Sequence, residues 1–209
     1  MTKAKAKLGI LISGRGSNMK AIAKACATGE IPAEVALVVS NKVDAAGVEW
    51  AQEQCLSCRI LPHRDFADRE AHDQAIVAEL RAAGVDWVCL AGYMRLLSPY
   101  FVAAYESRIL NIHPSLLPAF PGLNAQAQAL KYGVRVTGCT VHIVDKELDH
   151  GPIVEQAVVS VENGDRVGDL ESRLIKIEHR TYVSALRRLL SNRWRLDGRR
   201  LVFKAEKIE

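Results

Sequence analysis

The stretch Leu8-Gly9-Ile10-Leu11-Ile12-Ser13-Gly14-Arg15-Gly16-Ser17-Asn18 joins a short apolar run to a glycine-rich turn. The run from Leu8 to Ile12 is too short for a signal-peptide core or a membrane span, and it predicts a buried first strand. A helix is predicted to follow over Asn18 to Ala27, with Ser17 or Asn18 as its cap. Glycines let the backbone approach an anion, and a helix start offers free N–H groups, so the turn predicts a phosphate site.

The turn differs from the common nucleotide-binding fingerprints. A dinucleotide loop would carry a third glycine at position 19, where Met19 stands, and the Lys-Ser/Thr pair of a Walker loop is missing. A nucleotide monophosphate or sugar phosphate therefore fits better than NAD, which weakens a dehydrogenase interpretation. A plain tight strand–helix turn is the alternative that this stretch leaves open.

Strand-like and helical patterns alternate along the first half of the chain. The predicted elements are strands Val35–Ser40, Arg59–Leu61, Asp86–Ala91 and Ile109–Ile112, and helices Ala45–Gln54 and Asp68–Ala83. This order predicts an α/β fold, with a Rossmann-like, mostly parallel sheet and helices on both faces. Val136–Val144 and Ile153–Val161 predict an antiparallel C-terminal extension of the sheet. A long helix is predicted over Val167–Leu190, and a small hairpin over Trp194–Phe203 around Asp197-Gly198.

Length and composition narrow the possible functions. The chain has 209 residues, no recognisable linker and 49% hydrophobic residues, so a single globular domain over 1–209 is expected. A net charge of +4 without a clustered Lys/Arg stripe argues against nucleic acid and suits small anionic substrates. Five cysteines without disulfide spacing point to a reducing, cytoplasmic compartment. No ligand cluster suggests a metal.

A second motif, Asn111-Ile112-His113-Pro114-Ser115-Leu116-Leu117-Pro118, closes a predicted strand. Asn111 and His113 stand two apart, so their side chains point to the same side of the strand. A carboxamide and an imidazole together can hold developing negative charge and move a proton, as acyl or formyl transfer requires. Asp149, in a loop over Asp145–Pro152, is a candidate partner that would orient the imidazole, although alone it is typical of a turn.

Together with Ala91-Gly92-Tyr93-Met94-Arg95-Leu96-Leu97-Ser98 and His142 through Pro152, these motifs resemble the phosphoribosylglycinamide formyltransferases. This is a folate-dependent family of purine synthesis, and the motifs occur in its order and spacing over nearly the whole chain. The resemblance implies a catalytic trio formed by Asn111, His113 and Asp149. The residues it implies for the ribotide are Gly16, Ser17, Asn18 and Glu178. Those it implies for the formyl-folate are Arg69, Met94, Arg95, Leu96, Leu97 and Asn111.

The resemblance also implies the reaction. The amine of 5'-phosphoribosylglycinamide would take the formyl group from 10-formyltetrahydrofolate as co-substrate, in de novo purine (IMP) biosynthesis and without a metal. Phosphate binding would fall in about residues 1–100, and formyl-folate binding and catalysis in about 101–209. The expected partners are these small molecules, with no nucleic acid, no membrane and a homodimer as a possibility.

Three other functions share some of these sequence features. Formyltetrahydrofolate deformylase shares the Asn-x-His signal but normally adds an N-terminal domain, for which a first strand at Leu8 leaves no room. Methionyl-tRNA formyltransferase adds a C-terminal tRNA domain, which this chain is expected to lack. A non-catalytic folate- or nucleotide-binding module has no need for a proton-transfer trio. His150 stands where relatives often have glycine, and an exposed loop histidine is expected there.

Overall fold

The computed structural model describes residues 4–204. These residues form a fold built around a seven-stranded sheet. Its strands are β1 (Ala6–Ile12), β2 (Ala33–Ser40), β3 (Cys58–Ile60), β4 (Trp87–Leu90), β5 (Ile109–His113), β6 (Val136–Ile143) and β7 (Ile153–Ser160). The strand order is β3-β2-β1-β4-β5-β6-β7. Strands β1 to β5 run parallel, and β6 and β7 extend the sheet in antiparallel fashion. The predicted mostly parallel sheet with an antiparallel extension is confirmed.

Helices cover both faces of the sheet, as predicted. They are α1 (Ser17–Ala27), α2 (Ala46–Glu53), α3 (Arg69–Ala82), α4 (Pro99–Ala104), α5 (Ala125–Tyr132) and α6 (Val167–Ser191). Alternate residues of β1 point to opposite faces, so Ile10 joins the core formed with α1, α2 and α6, whereas Leu11 joins the core formed with α3 and α4. Both side chains are completely buried, which explains the unbroken apolar run of this strand.

Two helices were not predicted from the sequence. Helix α4 is six residues long, starts with Pro99 and is capped by Ser98, whose hydroxyl accepts the N–H of Phe101. Helix α5 buries only Ala125 and Ala129, so its apolar periodicity is too weak to recognise.

The strand order reverses between β1 and β4, and the segments that follow these strands meet at this point. Ser13, just after β1, donates its N–H to the carbonyl oxygen of Gly92 at 3.1 Å. The Ser13 hydroxyl accepts the N–H of Met94 at 2.8 Å and donates to Oδ1 of Asn41 at 2.6 Å. Ligands in open α/β sheets bind at such a reversal, and these bonds fix the edges of the crevice.

A hairpin formed by β8 (Trp194–Asp197) and β9 (Arg200–Phe203) follows α6, which confirms the predicted hairpin. Trp194 packs edge-on against Trp87, with ring centroids 6.2 Å apart. The guanidinium of Arg188 lies over the ring of Phe203, 4.1 Å from its centroid. The hairpin is therefore fixed to the main sheet and to α6. None of the helices between residues 4 and 204 has the length and apolar character needed to cross a bilayer.

Candidate active site at the carboxyl end of β5

Asn111 lies on β5 opposite His142 of the antiparallel strand β6. The Asn111 amide donates to Nε2 of His142 at 3.2 Å, while Nδ1 of His142 contacts the carbonyl oxygen of Ile143 at 3.2 Å. Burial lowers the pKa of His142, which favours the neutral ring that can accept this bond. His142 thus orients the Asn111 amide and leaves its second N–H free for another acceptor.

His113 sits between two oxygen atoms at the end of β5. Its Nδ1 lies 3.3 Å from Oδ2 of Asp149, and its Nε2 donates to the carbonyl oxygen of Phe120 at 2.8 Å. Both partners are acceptors, so the ring satisfies both contacts when both of its nitrogens carry protons. Only 5% of His113 is exposed, which holds the imidazole in this one orientation.

Asp149 connects three parts of the site. Its Oδ2 accepts the N–H of Gly122 at 2.8 Å in addition to facing His113, and its Oδ1 lies 3.8 Å from Nε2 of His142. The backbone of Asp149 is left-handed, with a φ of 50°, a conformation that few non-glycine residues adopt. The carboxylate therefore depends on the surrounding loop for its position.

The phosphate turn differs from its prediction in one respect. The N-cap of α1 is Gly16, with a left-handed φ of 65°, and no side chain caps the helix, so the expected capping by Ser17 or Asn18 is wrong. With Gly16 as the N-cap, Ser17 and Asn18 are the first two residues of the helix itself, and the Asn18 amide donates to the Glu178 carboxylate at 2.9 Å. The uncapped N–H groups, and a buried Asn18 Oδ1 without a partner, leave polar groups ready for a ligand.

Glu178 links this turn to the cluster around His113. Burial raises the pKa of Glu178, and the Asn18 hydrogen bond and then the charge of His113 oppose that rise. The carboxylate of α6 is therefore within electrostatic reach of the imidazole on β5. A ligand that contacts Glu178 lies close to His113.

The segment Met94–Leu97 leaves the sheet beside the phosphate turn. Met94 and Leu96 are 68% and 55% exposed, whereas Arg95 and Leu97 are half-buried. Exposed apolar side chains at the edge of a crevice offer a surface for a flat heterocycle. The end of the segment is anchored by the buried Asp73, whose carboxylate accepts the N–H of Ser98 at 2.5 Å.

Arg69 is the most peripheral of the predicted site residues. It opens α3 and is exposed, and no hydrogen bond or ion pair found among residues 4–204 ties it to the cluster around His113. The structure thus brings together Asn111, His113 and Asp149, and brings Asn18 to Glu178, but leaves Arg69 apart.

Sequence reasoning missed two contributors to this cluster. His142 belongs to a sequence motif that gives it no individual role, because its place opposite Asn111 follows from the β5–β6 register, which the sequence does not specify. The carbonyl of Phe120 carries no side-chain signal at all. Within residues 4–204, no group of three or more His, Cys, Asp or Glu side chains is arranged to hold a metal ion.

The sheet and its strand order define an α/β protein, with an uncapped helix start at the strand-order reversal and the cluster of Asn111, His113 and Asp149 at the end of β5. The chain matches the family described as formyl transferase over residues 6–186, and it belongs to that family. It is 44% identical to phosphoribosylglycinamide formyltransferase of Escherichia coli (strain K12) over 190 residues, which cover 91% of this chain and 87% of that protein. The crystal structure of glycinamide ribonucleotide transformylase 1 from Symbiobacterium toebii superposes with a TM-score of 0.94 at 48% identity, covering 96% of this chain and 94% of that one.

Other relatives are longer or more distant. The chain is 43% identical over 187 residues to the trifunctional purine biosynthetic protein adenosine-3 of Gallus gallus; this covers 90% of the chain but only 19% of that protein. A formyltetrahydrofolate deformylase from Pseudomonas syringae pv. tomato superposes with a TM-score of 0.90 at 26% identity, covering 97% of this chain and 67% of that one. The deformylase therefore shares the fold at a lower level of identity.

Proposed function

We propose that this protein transfers the formyl group of 10-formyltetrahydrofolate to the amine of 5'-phosphoribosylglycinamide. The observation that carries the proposal is the cluster at the end of β5, where His113 faces Asp149 and lies two residues from Asn111. The likeness to the E. coli and S. toebii proteins supports the choice of substrates.

The two substrates would approach the cluster from different sides. The ribotide phosphate would bind the turn Gly16-Ser17-Asn18, and Glu178 would contact the ribotide next to the reacting amine. This is supported by the uncapped start of α1 and by the Asn18–Glu178 bond. The formyl-folate would lie along Met94, Arg95, Leu96 and Leu97, where exposed apolar side chains border the crevice. Arg69 stays a predicted folate contact.

The chemistry follows from where charge develops. Attack of the amine on the formyl carbon places negative charge on the formyl oxygen, and the free N–H of Asn111 and a protonated His113 would stabilise it. Asp149 would keep the His113 ring oriented, and would help to pass the amine proton to the leaving folate nitrogen. One preorganised donor in such a site is worth about 10²–10³ in rate.

Nε2 of His113 donates to the carbonyl oxygen of Phe120, at the place that the formyl oxygen would take. Nε2 of His113 therefore has an acceptor in the free protein. Substrate binding would exchange the Phe120 oxygen for the formyl oxygen. Phe120 has a left-handed φ of 53°, which is an unfavourable backbone conformation for this residue. When a ligand replaces its hydrogen bond to His113, the segment can move and release this strain.

The direct test is formyl transfer from 10-formyltetrahydrofolate, measured with and without the ribotide. Formylated ribotide that appears only when both substrates are present supports the proposal. Formate release without the ribotide would instead identify the deformylase alternative, and turnover of neither would identify a binding module. The deformylase is the second candidate because its structure superposes on this chain.

Three further predictions accompany this function. A single domain over residues 1–209 and a cytoplasmic location are expectations from the sequence, with a homodimer as a possibility. Light scattering across a range of protein concentrations tests self-association directly.

A further inference from the structure

The hairpin of β8 and β9 contacts the loop that carries Asp149. At the turn of the hairpin, Arg199 donates from Nη2 to the carbonyl oxygen of His150, and its Nη1 contacts the imidazole of the same residue. His150 directly follows Asp149 in the chain. The hairpin lies beyond residue 186, where the family match ends, so this contact comes from outside the shared family region.

His150 also closes the loop on itself. Its Nδ1 lies 3.0 Å from Oδ2 of Asp145, and Oδ1 of the same carboxylate accepts the N–H of Glu147 at 2.9 Å. If Nδ1 donates to Asp145, the lone pair on Nε2 is left to accept from Arg199. With this tautomer, His150 joins the start of the loop, the residue after Asp149 and the hairpin.

The middle of the loop Asp145–Pro152 needs a contact of this kind to hold it in place. Its return is fixed by the N–H of Ile143, which donates to the carbonyl oxygen of Pro152 at 2.8 Å, but Leu148 is 57% exposed. Asp149 itself has a left-handed backbone that the surroundings must stabilise. The hairpin can provide that support because Trp194 anchors it to Trp87 of the main sheet.

We propose that Arg199 is a positioning residue. It binds His150 and so attaches the Asp145–Pro152 loop to the C-terminal hairpin. This attachment keeps Asp149 facing His113. The effect on catalysis rests on the proposed function, whereas the effect on the loop does not. A guanidinium suits this place because its forked N–H groups reach the ring and the carbonyl oxygen together.

Amide hydrogen exchange of the segment Asp145–Pro152 tests the structural half in the full chain. Arg199→Ala should exchange this segment about 10-fold faster than wild type, because the loop loses charge-assisted bonds that oppose local opening. Arg200→Ala, at the adjacent exposed position of the hairpin, removes a similar charge and should leave exchange unchanged. Arg199→Lys should restore little, since an ammonium lacks the fork.

Formyl-transfer kinetics test the catalytic half. Arg199→Ala should lower kcat several-fold and leave the KM for the ribotide unchanged, because the hairpin acts on Asp149 and not on the phosphate turn. Equal exchange in Arg199→Ala and Arg200→Ala would overturn the proposal, and so would faster exchange with an unchanged kcat. Absence of turnover in wild type would overturn the proposed function alone, while exchange would still decide whether Arg199 holds the loop.

Discussion

The amide of Asn18 donates a 2.9 Å hydrogen bond to the carboxylate of Glu178, 160 positions further along the chain. The bond joins the first turn of α1 to the middle of α6, and these two helices pack against one another on the same face of the sheet. This polar pair lies between two helices, next to an uncapped helix N-terminus. Its burial costs desolvation free energy, but it places polar groups where a ligand could bind.

Glu178→Gln should stabilise the protein at neutral pH and weaken ribotide binding. Burial raises the pKa of Glu178 above the ordinary 4.5, so the folded state binds this proton more readily than the unfolded chain does. The associated stability is complete below pH 4.5 and is lost as the pH rises through the raised pKa. Glutamine stays neutral and still accepts the Asn18 bond, so a gain of about 1 kcal/mol is expected at about pH 7.

Urea unfolding at several pH values measures this gain, and the ribotide KM should rise in the same variant. Glu106→Gln, at an exposed turn position outside the helices, is the matched control and should change neither quantity. A variant no more stable than wild type at neutral pH would contradict the assigned effect of burial.

His113→Ala and Asp149→Ala should each lower kcat about 10²–10³-fold, because each removes one half of a unit that moves a proton. The double variant should lose little more than either single one, since the two side chains act together. Single-turnover kinetics and a thermal melt check both the rate and the fold. Losses that multiply in the double variant would show that the two residues act independently.

Acid should destabilise the protein partly through His142. Burial lowers the pKa of this residue below 6.5, so the unfolded chain binds the proton more readily than the folded one. Stability is therefore lost as the pH falls from about 6.5 through the lowered pKa. His142→Gln, whose amide oxygen can still accept from Asn111, should reduce the pH slope of unfolding by at most about 1.4 kcal/mol per pH unit. Identical slopes in both proteins would rule His142 out as a contributor.

Gly151→Ala should lower the free energy of unfolding by about 1–3 kcal/mol and reduce activity. A Cβ at this position would lie 1.8 Å from the carbonyl oxygen of Ile143, so the loop that carries Asp149 must shift. Gly168→Ala is the matched control, because apart from its chain neighbours and its own helix backbone no atom of residues 4–204 lies within 4 Å of the added Cβ, and alanine favours the helix there. Denaturant unfolding of both variants checks the contrast; an equally tolerated Gly151→Ala would contradict the tight fit.

Much of the fold was open to prediction because its signals are local. The apolar run of β1, the long amphipathic pattern of α6 and the Asp197-Gly198 turn each identify an element without reference to the rest of the chain. The spacing of Asn111 and His113 likewise fixed their shared side on β5.

The remainder depends on tertiary context. The left-handed backbones of Phe120 and Asp149 have no sequence signal, because both residues would prefer other conformations in isolation. The role of His142 follows from strand register, and the contact of Arg199 with His150 joins segments that no motif relates. Capping by Ser17 or Asn18 was misjudged because Gly16 takes the N-cap position, so both side chains lie inside the first turn of the helix.

The bond between α1 and α6 has a consequence for synthesis of the chain. A ribosome makes the phosphate turn near the start and Glu178 near the end, so nascent protein can build much of the parallel sheet before its binding site exists. The contact between Asn18 and Glu178 should also form late when the full chain refolds. The intervening chain must first be brought together, which costs conformational entropy. Ribotide binding should therefore appear only with the final step of folding, and the ligand would act as a reporter of completed molecules.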